Sequence, residues 1–169
     1  MLEPERQRLS TAKTIMTRLL VPRSIVETTV LELRSRSAGW RESAGIWTGN
    51  RDGTVVQVHF HHQLADDRGG PLSLELPESA KFDLYRTLAS KDQVLLALLH
   101  THPDAWVGLS AVDQRNQLSS RIGFWSIVLP HYGRNIWNKR EIGFHMRGEY
   151  GWITLRPDEV EQCMSILEL

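Results

Sequence analysis

The sequence has a single cysteine, Cys163, in 169 residues. That excludes an internal disulfide and any metal cluster built on several thiolates. It has no excess of either charge, 20 Lys and Arg balancing 20 Asp and Glu. A dedicated nucleic-acid binder would show a basic excess, so no nucleic-acid partner is expected. It has no long hydrophobic run either. The longest strictly apolar stretch, residues 94–99, is six residues, against about 20 needed to cross a bilayer. The start, Met1-Leu2-Glu3-Pro4-Glu5-Arg6, lacks the basic and apolar regions of a secretory signal. These absences lead to the expectation of a cytoplasmic protein with no membrane partner. Repeats, low-complexity tracts and linkers are also lacking.

What is present suits one domain. A chain of this length buries roughly 70% of its unfolded surface, and 41% hydrophobic with 24% charged residues is ordinary for a globular protein. Residues 1–17 are polar without an apolar face and read as a flexible arm; residues 18–169 read as the domain. Strand signals fall at 19–21, 42–48, 56–60, 72–76, 94–100, 122–129, 142–146 and 152–155. Asn50-Arg51-Asp52-Gly53 carries the turn chemistry of a hairpin, and 66–71 reads as a loop. Helical periodicity marks 22–36, 78–89 and 110–118, and Pro157 opens a last helix in which Val160, Cys163, Met164 and Leu167 recur at helical spacing. Cys163 is thus a packing residue. Strands mixed with about four helices imply an α/β or α+β layered domain with one mixed sheet.

The chemistry concentrates in one window. His100, Thr101, His102 and Pro103 follow the apolar strand, and Ser110 and Asp113 come shortly after. Side chains two apart on a strand point to one face, so both imidazoles can converge on one ion. Two neutral nitrogens and one carboxylate are the three-ligand inventory of a catalytic zinc site, with a fourth position left for water. Each residue also has a plainer reading. A lone histidine near a strand end is commonly a hydrogen-bonded surface or core residue. Ser110 and Asp113 form a helix N-cap pattern, which is compatible with function, because the cap aims the carboxylate back toward the histidines. Glu42 stands at the start of an apolar, glycine-containing strand, an awkward place for a charge without a partner. It is the candidate for the non-ligating base that such chemistry needs.

Other signals are weaker. Gly108-Leu109-Ser110 begins like a nucleophile elbow, but Val112 stands where that motif needs glycine. His61 and His62 beside His59 read as solvated residues at a strand end, with a second metal patch as the alternative. The six tryptophans are mainly core and rim, with Trp106 the exception because it lies in the loop between ligands.

Glu42 with the Gly45–Gly49 strand, His100-Thr101-His102-Pro103, Ser110 and Asp113 together resemble the JAMM metallopeptidases, also called the MPN-plus family. The resemblance covers roughly residues 18–155. It implies a layered MPN-type fold, similar to that of cytidine deaminases, and one zinc ion per chain held by His100, His102 and Asp113. It also implies that Glu42 orients and deprotonates the attacking water and that Ser110 hydrogen-bonds the oxyanion. Trp106 and Thr101 are the expected substrate contacts. The family cleaves bonds after the C-terminal tail of ubiquitin-like proteins. The chain is most similar to stand-alone bacterial members encoded with ubiquitin-like conjugation machinery, including that of antiphage operons. The expected activity is therefore a zinc isopeptidase or processing peptidase. The alternatives are a peptidase acting on sulfur-carrier adducts and a metal-free MPN scaffold.

Overall fold

Alternating apolar residues along the chain close into a six-stranded mixed sheet with helices on its faces. The computed structural model describes residues 18–60, 76–115, 118–135 and 137–168. The expected arm at 1–17, the loop at 66–71, the strand over 72–75, and His61 and His62 lie outside the described residues. The elements in chain order are β1 (Leu19–Pro22), α1 (Arg23–Ser37), β2 (Ala44–Gly49), β3 (Val55–His59), α2 (Glu78–Ser90), β4 (Val94–Thr101), α3 (Ala111–Arg115), β5 (Trp125–Leu129), β6 (Gly143–Arg147), β7 (Trp152–Leu155), α4 (Pro157–Cys163) and β8 (Met164–Leu167). A single 3₁₀ turn spans His131–Gly133.

Strand order in the large sheet is β3-β2-β4-β5-β6-β7. Only β4 and β5 run parallel; the other neighbours are antiparallel. The turn at Asn50–Gly53 forms as its residues dictate, closed by the Gly53 N–H donating to the Asn50 carbonyl at 3.0 Å. Gly53 has φ +93, and a Cβ there would lie 1.7 Å from the Arg18 carbonyl oxygen, so only glycine fits.

Helix α1 buries Val26, Thr29, Val30, Leu33 and Ser37, a stripe at three- and four-residue spacing that faces the sheet. It ends where Ala38 turns left-handed (φ 49) and its N–H closes onto the Arg34 and Ser35 carbonyls. On that side lies the larger core, with Trp47, Leu96, Ala97, Leu99, Trp125, Ile127, Phe144 and Met146. A bulge opposite Trp47 and Thr48 lets Leu96 and Ala97 share this side. Leu95 and Leu98 then face the smaller core of Ile46, Leu84, Leu88 and Phe124 under α2. His100 continues the face of Leu98, and Thr101 that of Leu99.

The C-terminus corrects the sequence reading. Helix α4 stops at Cys163, and Met164–Leu167 is a strand, not the continuation of a helix. It pairs in parallel with β1, Leu19 opposite Met164 and Val21 opposite Ile166. The spacing of Val160, Met164 and Leu167 fits a helix, but β1 offers an open edge, and tertiary pairing overrides so short a local preference. One further element is shorter than its signal: in 122–129 the first two residues form a turn, with Gly123 at φ +85. Met164 is 1% exposed, so Met164→Ala should cost roughly 2–5 kcal/mol in denaturant unfolding. A cost near zero would contradict the strand pairing, since a solvated helical tail would tolerate the change.

Candidate metal centre

Three elements meet at the C-terminal end of β4. The strand itself carries His100 and delivers His102 just past its end. The parallel crossover to β5 carries Trp106, Ser110 and Asp113. Strand β2 runs antiparallel to β4 with Ala44 opposite His100. One step further, the Thr101 N–H donates to the Ser43 carbonyl at 3.0 Å, and Glu42 precedes Ser43, within electrostatic reach of His102, His100 and Asp113.

The ligand atoms converge. His100 Nε2 lies 3.2 Å from His102 Nε2, 3.4 Å from Asp113 Oδ1, and His102 Nε2 lies 3.5 Å from Asp113 Oδ2. Four ligands held at about 2.0–2.1 Å in a tetrahedron stand roughly 3.3–3.4 Å apart. The three residues therefore fit a tetrahedral ion, and they are the group able to hold a metal among the described residues. His100 and His102 are 0% and 4% exposed, and burying two imidazoles and a carboxylate is costly unless they share charge.

Two of the three candidate ligands, His102 and Asp113, are aimed by neighbours. His102 Nδ1–H donates to the Trp106 carbonyl at 2.9 Å, which leaves Nε2 unprotonated toward the site. The Trp106 ring stacks on the same imidazole, centroids 5.1 Å apart and planes 15° apart. Asp113 and Ser110 are tied reciprocally. The Ser110 N–H donates to Asp113 Oδ2 at 2.7 Å, and the Asp113 N–H donates to Ser110 Oγ at 3.1 Å. Ser110 Oγ accepts in that pair, and its hydroxyl also counts among the hydrogen bonds that hold the Asp113 carboxylate. His100 Nδ1 is buried and has no hydrogen-bond partner among the described residues.

The electrostatics follow from burial and the close charges. Burial pushes the Glu42 carboxyl above its ordinary range, against the opposing pull of His102 and His100. Burial acts against the Asp113 charge, but hydrogen bonds with His100, His102 and Ser110 hold its carboxyl far below the usual range. Cys163 is buried and its thiol is pushed up by that burial, the opposite of an activated nucleophile.

Glu42, His100, His102, Ser110 and Asp113 are thus brought to one end of β4. Trp106 is there too, 54% exposed, but its clearest structural contribution is the carbonyl that orients His102. Thr101 corrects the reading as a substrate contact. It is fully buried, because alternation turns it away from the histidines toward α1. Its hydroxyl joins Ser37 Oγ at 3.0 Å and accepts the Ser43 N–H at 2.9 Å, while Ser43 Oγ donates to the Leu33 carbonyl at 2.7 Å. Sequence reasoning overlooked this cluster and also His145, which sits 3% exposed on β6. A polar residue between the apolar Phe144 and Met146 of a central strand was the available signal for it.

No protein-family model matches the chain, and no curated protein does. Solved structures do. A solution structure of a protein from Desulfitobacterium hafniense aligns with a TM-score of 0.62 and 15% identity, over 89% of this chain and 94% of that one. A solution structure of a protein from Salinibacter ruber gives 0.55 and 13%, over 89% and 92%. A crystal structure of a JAB1/MPN domain protein from Archaeoglobus fulgidus gives 0.47 and 14%, over 83% and 95%. The first two show that the fold, an α+β domain with a central mixed sheet flanked by helices, occurs elsewhere as a nearly whole chain. Among the described residues no helix is long and apolar enough to cross a membrane.

A proton and a metal ion compete for His102. Burial resists charge on this ring, but Asp113, the Trp106 carbonyl and Glu42 outweigh it and hold its pKa above the ordinary histidine value. Competition therefore starts at a higher pH than for free imidazole, and the affinity for a metal ion should fall as pH is lowered toward about 6.5 and below. In metal-free protein the same raised pKa contributes stability that is fully present below about pH 6.5 and is lost as pH rises through the folded value. Chelator competition and thermal unfolding across that range measure both, and a flat zinc affinity would contradict the His102 environment.

Proposed function

We propose that this chain is a zinc-dependent peptidase of the JAMM type that cleaves the peptide or isopeptide bond after the C-terminal tail of a ubiquitin-like protein. Its setting would be a bacterial conjugation pathway in the cytoplasm. The observation that carries the reading is the convergence of His100, His102 and Asp113, with the half-buried Glu42, two residues before Ala44 of the Ala44–His100 pair, close enough to feel their charges.

Bound by His100, His102 and Asp113, zinc would lower the pKa of a water to near 7 and polarise a carbonyl. The chain's own residues do the rest. Glu42, its carboxyl pushed above its ordinary range by burial, accepts the proton of the attacking water. It then returns that proton to the departing amine nitrogen. Ser110, whose Oγ accepts the Asp113 N–H, turns its hydroxyl from the Asp113 carboxylate to the carbonyl oxygen as negative charge develops there. Trp106 stacks on His102 and presents an exposed aromatic wall against which an extended tail can lie.

The experiment is a panel of ubiquitin-like proteins fused through their C-termini to a reporter, with lysine-linked and single-amino-acid adducts alongside. Cleavage of fusions and isopeptides is expected. Cleavage of the single-amino-acid adducts alone would move the substrate to a sulfur-carrier protein, and cleavage of none by zinc-loaded protein would leave a binding scaffold. Glu42→Gln should retain zinc and fold while losing about 10²- to 10⁴-fold in turnover. Ser110→Ala should lower kcat by about 10²- to 10³-fold with a smaller effect on KM. Near wild-type turnover in Glu42→Gln would remove its role as base.

A further inference from the structure

The loop between Pro103 and Ser110 holds two consecutive carbonyls, each taken by a histidine. The Trp106 carbonyl accepts from His102 Nδ1–H at 2.9 Å. The next one, of Val107, lies 2.8 Å from His145 Nε2. A carbonyl can only accept, so Nε2 of His145 carries the proton, and Nδ1 of the neutral ring accepts from the Thr154 hydroxyl at 2.9 Å. Burial holds this histidine in its neutral form. Thr154 is opposite His145 in the β6–β7 register, so the ring is fixed by the sheet and not by the loop it grips.

Gly143, two residues earlier on the same face of β6, completes the grip. A Cβ at this position would stand 2.0 Å from the Val107 carbonyl oxygen, so the peptide rests directly on the glycine backbone. Strand β6 thus contributes a bare floor at Gly143 and a donor at His145 to the same carbonyl. The peptide that follows the His102 acceptor is clamped, and the acceptor moves only if the clamp moves.

We propose that His145 is a positioning residue for the metal ligand His102, acting through the Trp106–Val107 segment with Gly143 as its floor. The inference rests on the metal reading of His100, His102 and Asp113. It differs from the plain case of a satisfied core histidine in one respect: it makes metal affinity and ligand geometry, not only stability, depend on His145. Hydrogen-bond partners that orient a ligating histidine commonly change metal affinity by about 10- to 100-fold when removed.

The test is zinc affinity by chelator competition, together with the visible absorption of the cobalt-substituted full chain. His145→Phe keeps the volume and removes both hydrogen bonds; it should weaken zinc by about 10- to 100-fold and shift the cobalt bands. His145→Gln, whose amide can still donate to the Val107 carbonyl, should recover affinity to within a few-fold. Gly143→Ala touches neither histidine and should also weaken zinc, by displacing the Val107 carbonyl. Met164→Ala, remote from the loop, serves as the control that lowers stability without moving affinity. If His145→Phe fails to fold, Gly143→Ala and His145→Gln decide the matter. Wild-type zinc affinity and unchanged cobalt bands in the folded His145→Phe or Gly143→Ala protein would overturn the inference alone. A wild-type protein that binds no metal would overturn the metal reading and this inference with it.

Discussion

The antiparallel register between β2 and β4 is the constraint on which the site depends. Ser43 and Thr101 are joined by a backbone hydrogen bond and by the Ser43 N–H donating to the Thr101 hydroxyl. Side chains alternate, so this pair looks toward α1 while Glu42, His100 and His102 look the other way. The Ser37 hydroxyl, from the last residue of α1, closes the cluster at 2.8 Å from Ser43 Oγ. A slip of one residue would turn Glu42 to the core and leave buried hydroxyls and an amide unpaired, each at a cost of about 1–3 kcal/mol. The register is held by groups that lie outside the candidate site.

The ligands are assembled against the protein's own interest. Two buried imidazoles and a carboxylate stand 3.2 to 3.5 Å apart at their nearest atoms, an arrangement that burial disfavours in the absence of a shared charge. The surrounding chain meets that cost with directed hydrogen bonds. Trp106 aims His102, Ser110 and Asp113 hold each other, and β6 clamps the loop through His145. A cation held there would convert the cluster from an electrostatic burden into a source of stability, because an ion that binds only the folded state shifts the equilibrium toward it.

Much of this was legible in the sequence, for identifiable reasons. The unbroken apolar run before His100 located the strand, and the spacing of His100 and His102 fixed their shared face. The Ser110–Asp113 pattern gave both the cap and the carboxylate's direction. What escaped had non-local causes. Met164–Leu167 has helical spacing, and only the open edge of β1 makes it a strand. Thr101 sits between two histidines and invites a role at the surface of the site, yet strand alternation buries it among Ser37 and Ser43 from distant turns. The Trp106 carbonyl and the His145 clamp belong to loop geometry, which residue identities do not specify.

X-ray absorption at the zinc edge of the loaded protein tests the central claim most directly. The account predicts one zinc per chain with a shell of light nitrogen and oxygen atoms near 2.0–2.1 Å, two of them imidazoles, and loss of one imidazole signal in either His100→Ala or His102→Ala. A sulfur scatterer near 2.3 Å, which would have to come from Cys163, or a shell unchanged in both histidine variants, would contradict it.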